Sequence, residues 1–376
     1  MNRGKRWKPC TESHRSCPSR DTLVAMGIRL AVVIGMAVVG ACGSPSTGDD
    51  GDDGDDAPPP DAREFVDADP GVPFQTCRGR PYTLAPDQDW QHTIQTPITT
   101  AAGAPNHSSQ DQIDPDGASV TLPGKFTYGL ISKDLEDELI RVSIDDCTGW
   151  QELGSVATDT DGRIAMAVPA GMLPGPGVYE ARFQVLGDHS TTYSFVWVLP
   201  RGTHIALTDI DGTMTQSDAE LFQQMLDGSH VPVAYPGAVD LTLAHAERGH
   251  VVVFLTGRPY WLSNHTRDWL SDLAFAPGVF HGTDSNGEAV PSEGGVGAFK
   301  RAYLQSLLAD GYVIDVAYGN AATDVYAYLM APISADGVWI IGSHGGEQGT
   351  HAVVDTWVPR VAEVQALPAV TQPFQW

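Results

Sequence analysis

Two different periods of apolar residues run along this chain, and the change between them falls near residue 200. Before it the period is two. Tyr179, Ala181, Phe183 and Val185 alternate with Glu180, Arg182 and Gln184; after the Gly187-Asp188 turn, Tyr193, Phe195, Trp197 and Leu199 alternate again. Ile140, Val142 and Ile144 do likewise, as do Ile164, Met166 and Val168 beyond Asp161-Gly162. Side chains two apart share one face of a strand, so half-buried strands joined by turns are expected, and with them a β-sandwich of Ig-like type over residues 66–200. Asp159-Thr160-Asp161-Gly162 has carboxylates that suit calcium but lacks the rest of a twelve-residue loop, and reads as a hairpin turn.

Beyond Pro200-Arg201-Gly202 the period lengthens. Pro236 opens a helical pattern (Val239, Leu243, Ala246) that Gly249 closes. Leu262, Trp269, Leu270 and Leu273 have helical spacing, as do Val296, Phe299, Tyr303 and Leu307. Between these lie apolar runs of strand length: His204–Thr208, His250–Thr256, Tyr312–Ala317 and Val338–Ile341. Strand and helix alternating without hairpins predicts an α/β domain over residues 201–376, Rossmann-like, with a parallel sheet and helices on both faces.

The first of those strands ends at Asp209-Ile210-Asp211-Gly212-Thr213. In open α/β sheets ligands bind at the carboxyl edge, and residues i and i+2 point the same way. Both carboxylates can therefore face one site, where a divalent cation with oxygen ligands would relieve their repulsion. Gly212 permits a tight exit at positive φ. Three further segments place polar groups near strand ends: Leu255-Thr256-Gly257-Arg258-Pro259, Ala298-Phe299-Lys300-Arg301, and Tyr318-Gly319-Asn320-Ala321-Ala322-Thr323-Asp324. Taken singly, each of these three is a common turn, surface lysine or helix cap. Trp261 and Trp269 would suit a bilayer interface but have the spacing of core residues, and His344 in Gly342-Ser343-His344 reads as a loop histidine.

Composition narrows the functional classes. The formal charge of −25 disfavours nucleic acid as a partner; a phosphate substrate stays possible because a bound cation reverses the local sign. The first 25 residues are basic, and the uncharged apolar run Leu30 to Ala41 is only twelve residues long. A spanning helix needs about 20 residues, so residues 1–41 read as a signal peptide rather than an anchor. Translation starting at Met26 would still leave a basic start. Removing that leader takes away seven Lys/Arg and two Asp/Glu, so −25 − 5 = −30 remains. Residues 42–65 contain Gly-Asp-Asp repeats and Pro58-Pro59-Pro60, an acidic tether that stays solvated. Of the five cysteines, none in a CxxC pair, Cys10 and Cys17 leave with the leader. Val39-Gly40-Ala41-Cys42 resembles a bacterial lipobox, which implies acylation of Cys42, export, and a lipid anchor in a bacterial membrane facing periplasm or exterior. Cys77 and Cys147 are then expected to form a disulfide in an oxidising compartment.

Asp209-Ile-Asp-Gly-Thr after an apolar strand resembles the signature of the haloacid dehalogenase-like phosphotransferases. The longer string to Asp218 is similar to the catalytic domain of the lipins, which are magnesium-dependent phosphatidate phosphatases. A related domain occurs in membrane-associated phosphatidylinositol-transfer proteins. The resemblance spans about residues 204–365 and includes the lipin Phe-Lys frame at Lys300 and the Gly-Asn-x-x-x-Asp string ending at Asp324. It implies Asp209 as a nucleophile that forms an aspartyl-phosphate, and Asp211 as the acid for the leaving alkoxide and then the base for water. Thr256, Gly257 and Lys300 would bind the phosphoryl oxygens. Asp209, the Asp211 carbonyl, Asp324 and Asn320 would hold Mg2+, Asn320 standing where many superfamily members have Asp. Fewer than forty residues separate Thr213 from His250, little room for a large cap, and an open cleft suits a phosphate at a membrane. The reading is a monomeric phosphatase acting on phosphatidate or a related lipid phosphate. A soluble phosphate ester and a non-catalytic phosphatidate-binding module are the alternatives.

Overall fold

The alternating segments form strands because each presents one apolar face to a shared core. The computed structural model describes residues 75–86, 88–115, 118–129, 132–217, 231–285, 287–371 and 373, which lie within one unit, Glu64–Trp376. The expected leader, Cys42, the tether and Asp218 lie outside the described residues.

The first ten strands are β1 (Gln75–Cys77), β2 (Gln112–Pro115), β3 (Val120–Lys125), β4 (Thr127–Tyr128), β5 (Lys133–Asp134), β6 (Leu139–Asp145), β7 (Trp150–Ala157), β8 (Arg163–Val168), β9 (Gly177–Val185) and β10 (Thr191–Leu199), with a short helix α1 (Gln95–Thr100). A six-stranded sheet runs β2-β10-β9-β6-β7, with β1 added against β9. The antiparallel pair β3-β8 supplies Leu122, Ile164 and Val168 to a core shared with Val142, Ile144 and Phe183 of the large sheet. The Asp159 carboxylate accepts the N–H groups of Asp161 and Arg163, so this segment is a turn that shapes the start of β8. Cys77 and Cys147 are bonded, their Cα atoms 4.9 Å apart across 70 residues. Closing such a loop restricts the unfolded chain by roughly 4 kcal/mol.

The second part begins at β11 (His204–Thr208) and continues α2 (Ala238–Glu247), β12 (Val251–Pro259), α3 (Ser263–Asp272), β13 (Gly278–Thr283), α4 (Ala298–Ala309), β14 (Val313–Gly319), α5 (Ala322–Met330), β15 (Val338–Ile341), β16 (His351–Val353) and α6 (Val358–Ala366). Its six strands are ordered β13-β12-β11-β14-β15-β16 and every pair is parallel. Period two decides the faces. Ile205 and Leu207 pack with Leu304, Leu307 and Tyr328 of α4 and α5. Ala206 turns the other way, toward Leu241, Trp269 and Val361 of α2, α3 and α6. Strand order reverses at β11, so the crevice between the carboxyl ends of β11 and β14 is the switch point of the sheet.

Three details depart from the sequence expectation. Helix α2 buries Leu241, Thr242 and His245 while Leu243 is exposed, because a helix apolar on several sides does not fix its own buried stripe. The strands β13 and β16 and the helix α6 were not anticipated; β13 is a short run between glycines. The sandwich also does not stand apart. Trp197 and Leu199 join the core of the parallel sheet, and the edge strand β13 is covered by side chains from the segment before β2. Asp111 accepts the N–H of Phe280 (2.8 Å), Gln110 accepts that of Gly282 (3.0 Å), and Arg267 of α3 pairs with Asp111 at 2.8 Å. Edge-strand donors that would otherwise face solvent are thereby satisfied.

Candidate functional site

Pairing of β11 with β14 extends one residue past the strand, the Asp209 N–H reaching the Tyr318 carbonyl at 2.9 Å. The chain then folds sharply around the Ile210 carbonyl, which accepts the N–H groups of Thr213, Met214 and Thr215. Gly212 makes this turn at φ 69°, a conformation that side chains resist. From beneath, the buried indole of Trp357 donates to the Thr213 carbonyl at 2.8 Å.

Three charged side chains converge here. Lys300, in the first turn of α4, places Nζ 2.7 Å from Asp209 Oδ1 and 2.6 Å from Asp324 Oδ1. Asp209 is 4% exposed, Lys300 2% and Asp324 1%. A lysine opposes the dipole at a helix start, and its burial is tolerable only because two carboxylates receive it. Asp324 Oδ2 accepts the N–H groups of Asn320 and Ala321, closing the start of α5. Gly319 makes this possible: a Cβ there would lie 2.6 Å from Cβ of Asp324. The Thr213 hydroxyl lies 3.1 Å from Asp209 Oδ2 and 3.2 Å from Asn320 Oδ1, linking the two segments.

Burial pushes the Asp209 carboxyl up to about 7; the Lys300 ammonium pulls it down, and the Asp324 and Asp211 carboxylates push it up again. The Lys300 ammonium, although burial disfavours its charge, is held above the ordinary lysine range by Asp209 and Asp324. One buried ammonium thus serves two buried carboxylates, leaving a surplus of negative charge.

Asp211 is placed differently. Both its oxygens accept from Arg258, Nε at 2.9 Å to Oδ2 and Nη2 at 2.8 Å to Oδ1. Arg258 is itself buried, donates to the Thr266 hydroxyl at 3.1 Å and lies over the Trp269 ring at 5.9 Å. Its backbone N–H donates to the buried Thr256 hydroxyl at 3.2 Å. Gly257 packs against Val296, where a Cβ would come within 3.0 Å. The fold therefore gathers Asp209, Lys300, Asp324 and Asn320, while Asp211 and Thr256 are tied to Arg258. Arg258, Thr213 and Gly319 stand inside the sequence motifs, but their roles here are set by tertiary contacts; the spacing of residues does not say which way an arginine turns. Trp269 belongs to the core, and His344 sits in an exposed turn, 2.9 Å from Glu347.

Among the described residues no group of three or more His, Cys, Asp or Glu side chains is gathered to hold a metal ion. The donors that do converge are hard oxygens, two carboxylates and the Asn320 carboxamide, with charge left uncompensated. That chemistry fits Mg2+.

Fold and site together define a doubly wound α/β domain, preceded by a β-sandwich, with a buried Asp-Lys-Asp centre at its switch point. Residues 206–342 match the family model of the LNS2 domain of PITM 1-3, and residues 105–198 that of the PITM 1-3 beta-sandwich domain. Protein retinal degeneration B of Drosophila melanogaster is 30% identical over 271 residues, 70% of this chain and 20% of that protein. Membrane-associated phosphatidylinositol transfer protein 1 of Rattus norvegicus is 27% identical over 77% of this chain and 24% of its own length. The corresponding human protein 3 is 28% identical over 63% of this chain and 23% of its own. The chain thus spans about a fifth to a quarter of these relatives. Among solved structures, the sensor domain of an anti-sigma factor from Pseudobacteroides cellulosolvens covers 25% of this chain and 93% of its own at 12% identity, with a TM-score of 0.19.

Proposed function

We propose that the chain is a Mg2+-dependent phosphatase of haloacid dehalogenase type acting on phosphatidate or a related lipid phosphate. The reading is carried by the buried Asp209–Lys300–Asp324 cluster at the switch point. Lipid chemistry is favoured by the relatives, whose names speak of phosphatidylinositol transfer and membrane association. Export and acylation of Cys42 would bring the enzyme to a bacterial membrane, facing periplasm or exterior. Among the described residues no helix is long and apolar enough to cross one.

Asp209 attacks phosphorus, the ester P–O bond breaks, and the leaving alkoxide takes the Asp211 proton. Asp211 then takes a proton from water, whose oxygen displaces Asp209 from phosphorus and releases inorganic phosphate. Lys300 supports the charge on the transferring oxygens. To hold and pass a proton, Asp211 must let go of Arg258; the arginine is fixed by Thr266 and Trp269, so the aspartate is the moving partner. Asp209, Asp324 and Asn320 would hold Mg2+, which supplies positive charge to the phosphoryl oxygens.

The Arg258–Asp211 pair favours a second reading, a phosphatidate-binding module without turnover, because it occupies both oxygens of the acid. Release of aryl alcohol from an aryl phosphate in Mg2+ separates the two. The phosphatase reading expects turnover that falls at least about a thousandfold in Asp209→Asn. Absence of turnover in a folded wild-type protein that still retains phosphatidate would establish the second. Phosphate release from phosphatidate micelles, compared with soluble esters, tests the lipid assignment.

A further inference from the structure

A cavity of about 360 Å3 lies where β10 of the sandwich meets α3 and the first residues of β13, and none of Asp209, Asp211, Lys300 or Asp324 lines it. Period two accounts for one wall. Tyr193 and Phe195 share the face of β10 that sends Trp197 and Leu199 into the parallel-sheet core, yet both rings stay only half-buried. Phe254, Phe275 and Phe280 complete the aromatic lining, with Leu270 and the exposed Ser271 of α3 beside them. Arg267 is part of the wall as well, its guanidinium 4.8 Å from the centre of the Phe280 ring and 5.7 Å from that of Tyr193. Asp111 answers its charge, but its buried Nε–H has no acceptor.

Arg78 lines the same cavity and is exposed, and among the described residues no carboxylate pairs with it. Its neighbours are all held. Cys77 is bonded to Cys147, the Gly79 N–H donates to Glu180 at 2.8 Å, and Arg80 pairs with Asp145 at 2.8 Å. The backbone is thus fixed on both sides of an uncommitted guanidinium, which removes part of the ordering cost of binding. Among the described residues no Asp or Glu lines the cavity; Asp268 and Asp272 of α3 are exposed outside it. Apolar walls with few polar groups, in a cavity of this size, are the form of a small-molecule site. Five rings against one leucine favour an aromatic guest, which gains edge and offset-face contacts that an alkyl chain does not. The free charge favours an anion, and a guanidinium receives a carboxylate with two parallel hydrogen bonds. We propose that this cavity binds a small aromatic carboxylate, its ring among Tyr193, Phe195 and Phe275 and its charge on Arg78. The site is separate from the phosphatase reading and does not depend on it.

The test titrates the full chain with 2-naphthoate, its neutral isostere 2-naphthamide, and octanoate, followed by calorimetry. Wild-type protein should take up one equivalent of 2-naphthoate, about tenfold more tightly than the amide. Arg78→Gln should bring the acid to the affinity of the amide and leave the amide where it was. Ser271→Trp, which plugs the cavity from an exposed position, should abolish binding of both with an unchanged thermal midpoint; should that variant not fold, Arg78→Gln decides alone. Asp209→Asn should bind 2-naphthoate as wild type does, so the catalytic reading can fail while this site stands. Absence of binding, equal affinity for acid and amide, or an Arg78→Gln protein that binds like wild type would overturn the proposal. So would binding that survives Ser271→Trp or is weakened by Asp209→Asn, which would place the ligand elsewhere. Octanoate binding more tightly than 2-naphthoate would overturn the aromatic assignment.

Discussion

Among the described residues, two places that bury a carboxylate against a cation are built to opposite rules. At the seam between sandwich and parallel sheet, one guanidinium meets one carboxylate: Arg267 pairs with Asp111, whose remaining lone pairs take the N–H groups of Phe195 and Phe280 at 2.8 Å. At the switch point, one ammonium is shared by two carboxylates. The seam is neutral and its carboxylate is fully engaged, as in a structural pair. The switch point keeps surplus charge in a buried crevice, which lowers stability and is retained where a site needs it.

The sharpest way to break this contrast is to remove the anion from each. Asp111→Ala strands a buried guanidinium and two strand N–H groups, and should cost about 3–5 kcal/mol in urea unfolding, without changing KM in the protein that folds. Asp209→Asn should behave oppositely. A carboxyl raised to about 7 from its ordinary 3.8 contributes stability that is lost as pH rises through that interval. Metal-free wild-type protein should therefore weaken between those values. At pH 8 Asp209→Asn should be more stable than wild type in urea unfolding; a less stable variant would show that Lys300 needs both carboxylates charged.

A third measurement sharpens the seam from its acid side. His107 is buried there, its ring donating toward Ser190 at 2.8 Å and its carbonyl accepting from Asn264 of α3. Burial lowers its pKa to about 4, with Asp188 opposing. A histidine depressed in the native state contributes stability present above the unfolded value near 6.5 and lost as pH falls toward 4. The loss should be about 2 kcal/mol at pH 5, and His107→Gln should flatten that slope between pH 7 and pH 5.

The same contrast explains what the sequence disclosed. Asp209, Lys300 and Asp324 were visible because each follows a strand exit or opens a helix, where local spacing and tertiary position coincide. The two sheets were visible for a related reason: period two and strand–helix alternation are local. Asp111, Gln110 and Arg267 were not visible, since polar contacts between distant segments leave no period behind. Arg258 was in plain view beside Thr256, yet its grip on Asp211 depends on a side-chain direction set by Thr266 and Trp269.

The indole of Trp357 reaches a carbonyl 144 residues earlier in the chain. During synthesis the turn that carries Asp209 and Asp211 emerges long before its prop does. A nascent chain can lay down β11, β12 and β14 and still lack a finished crevice until α6 begins. The turn is thus unpropped until Trp357 has been made, and a product truncated just short of it would keep most of the parallel sheet while its acidic turn hung without a floor.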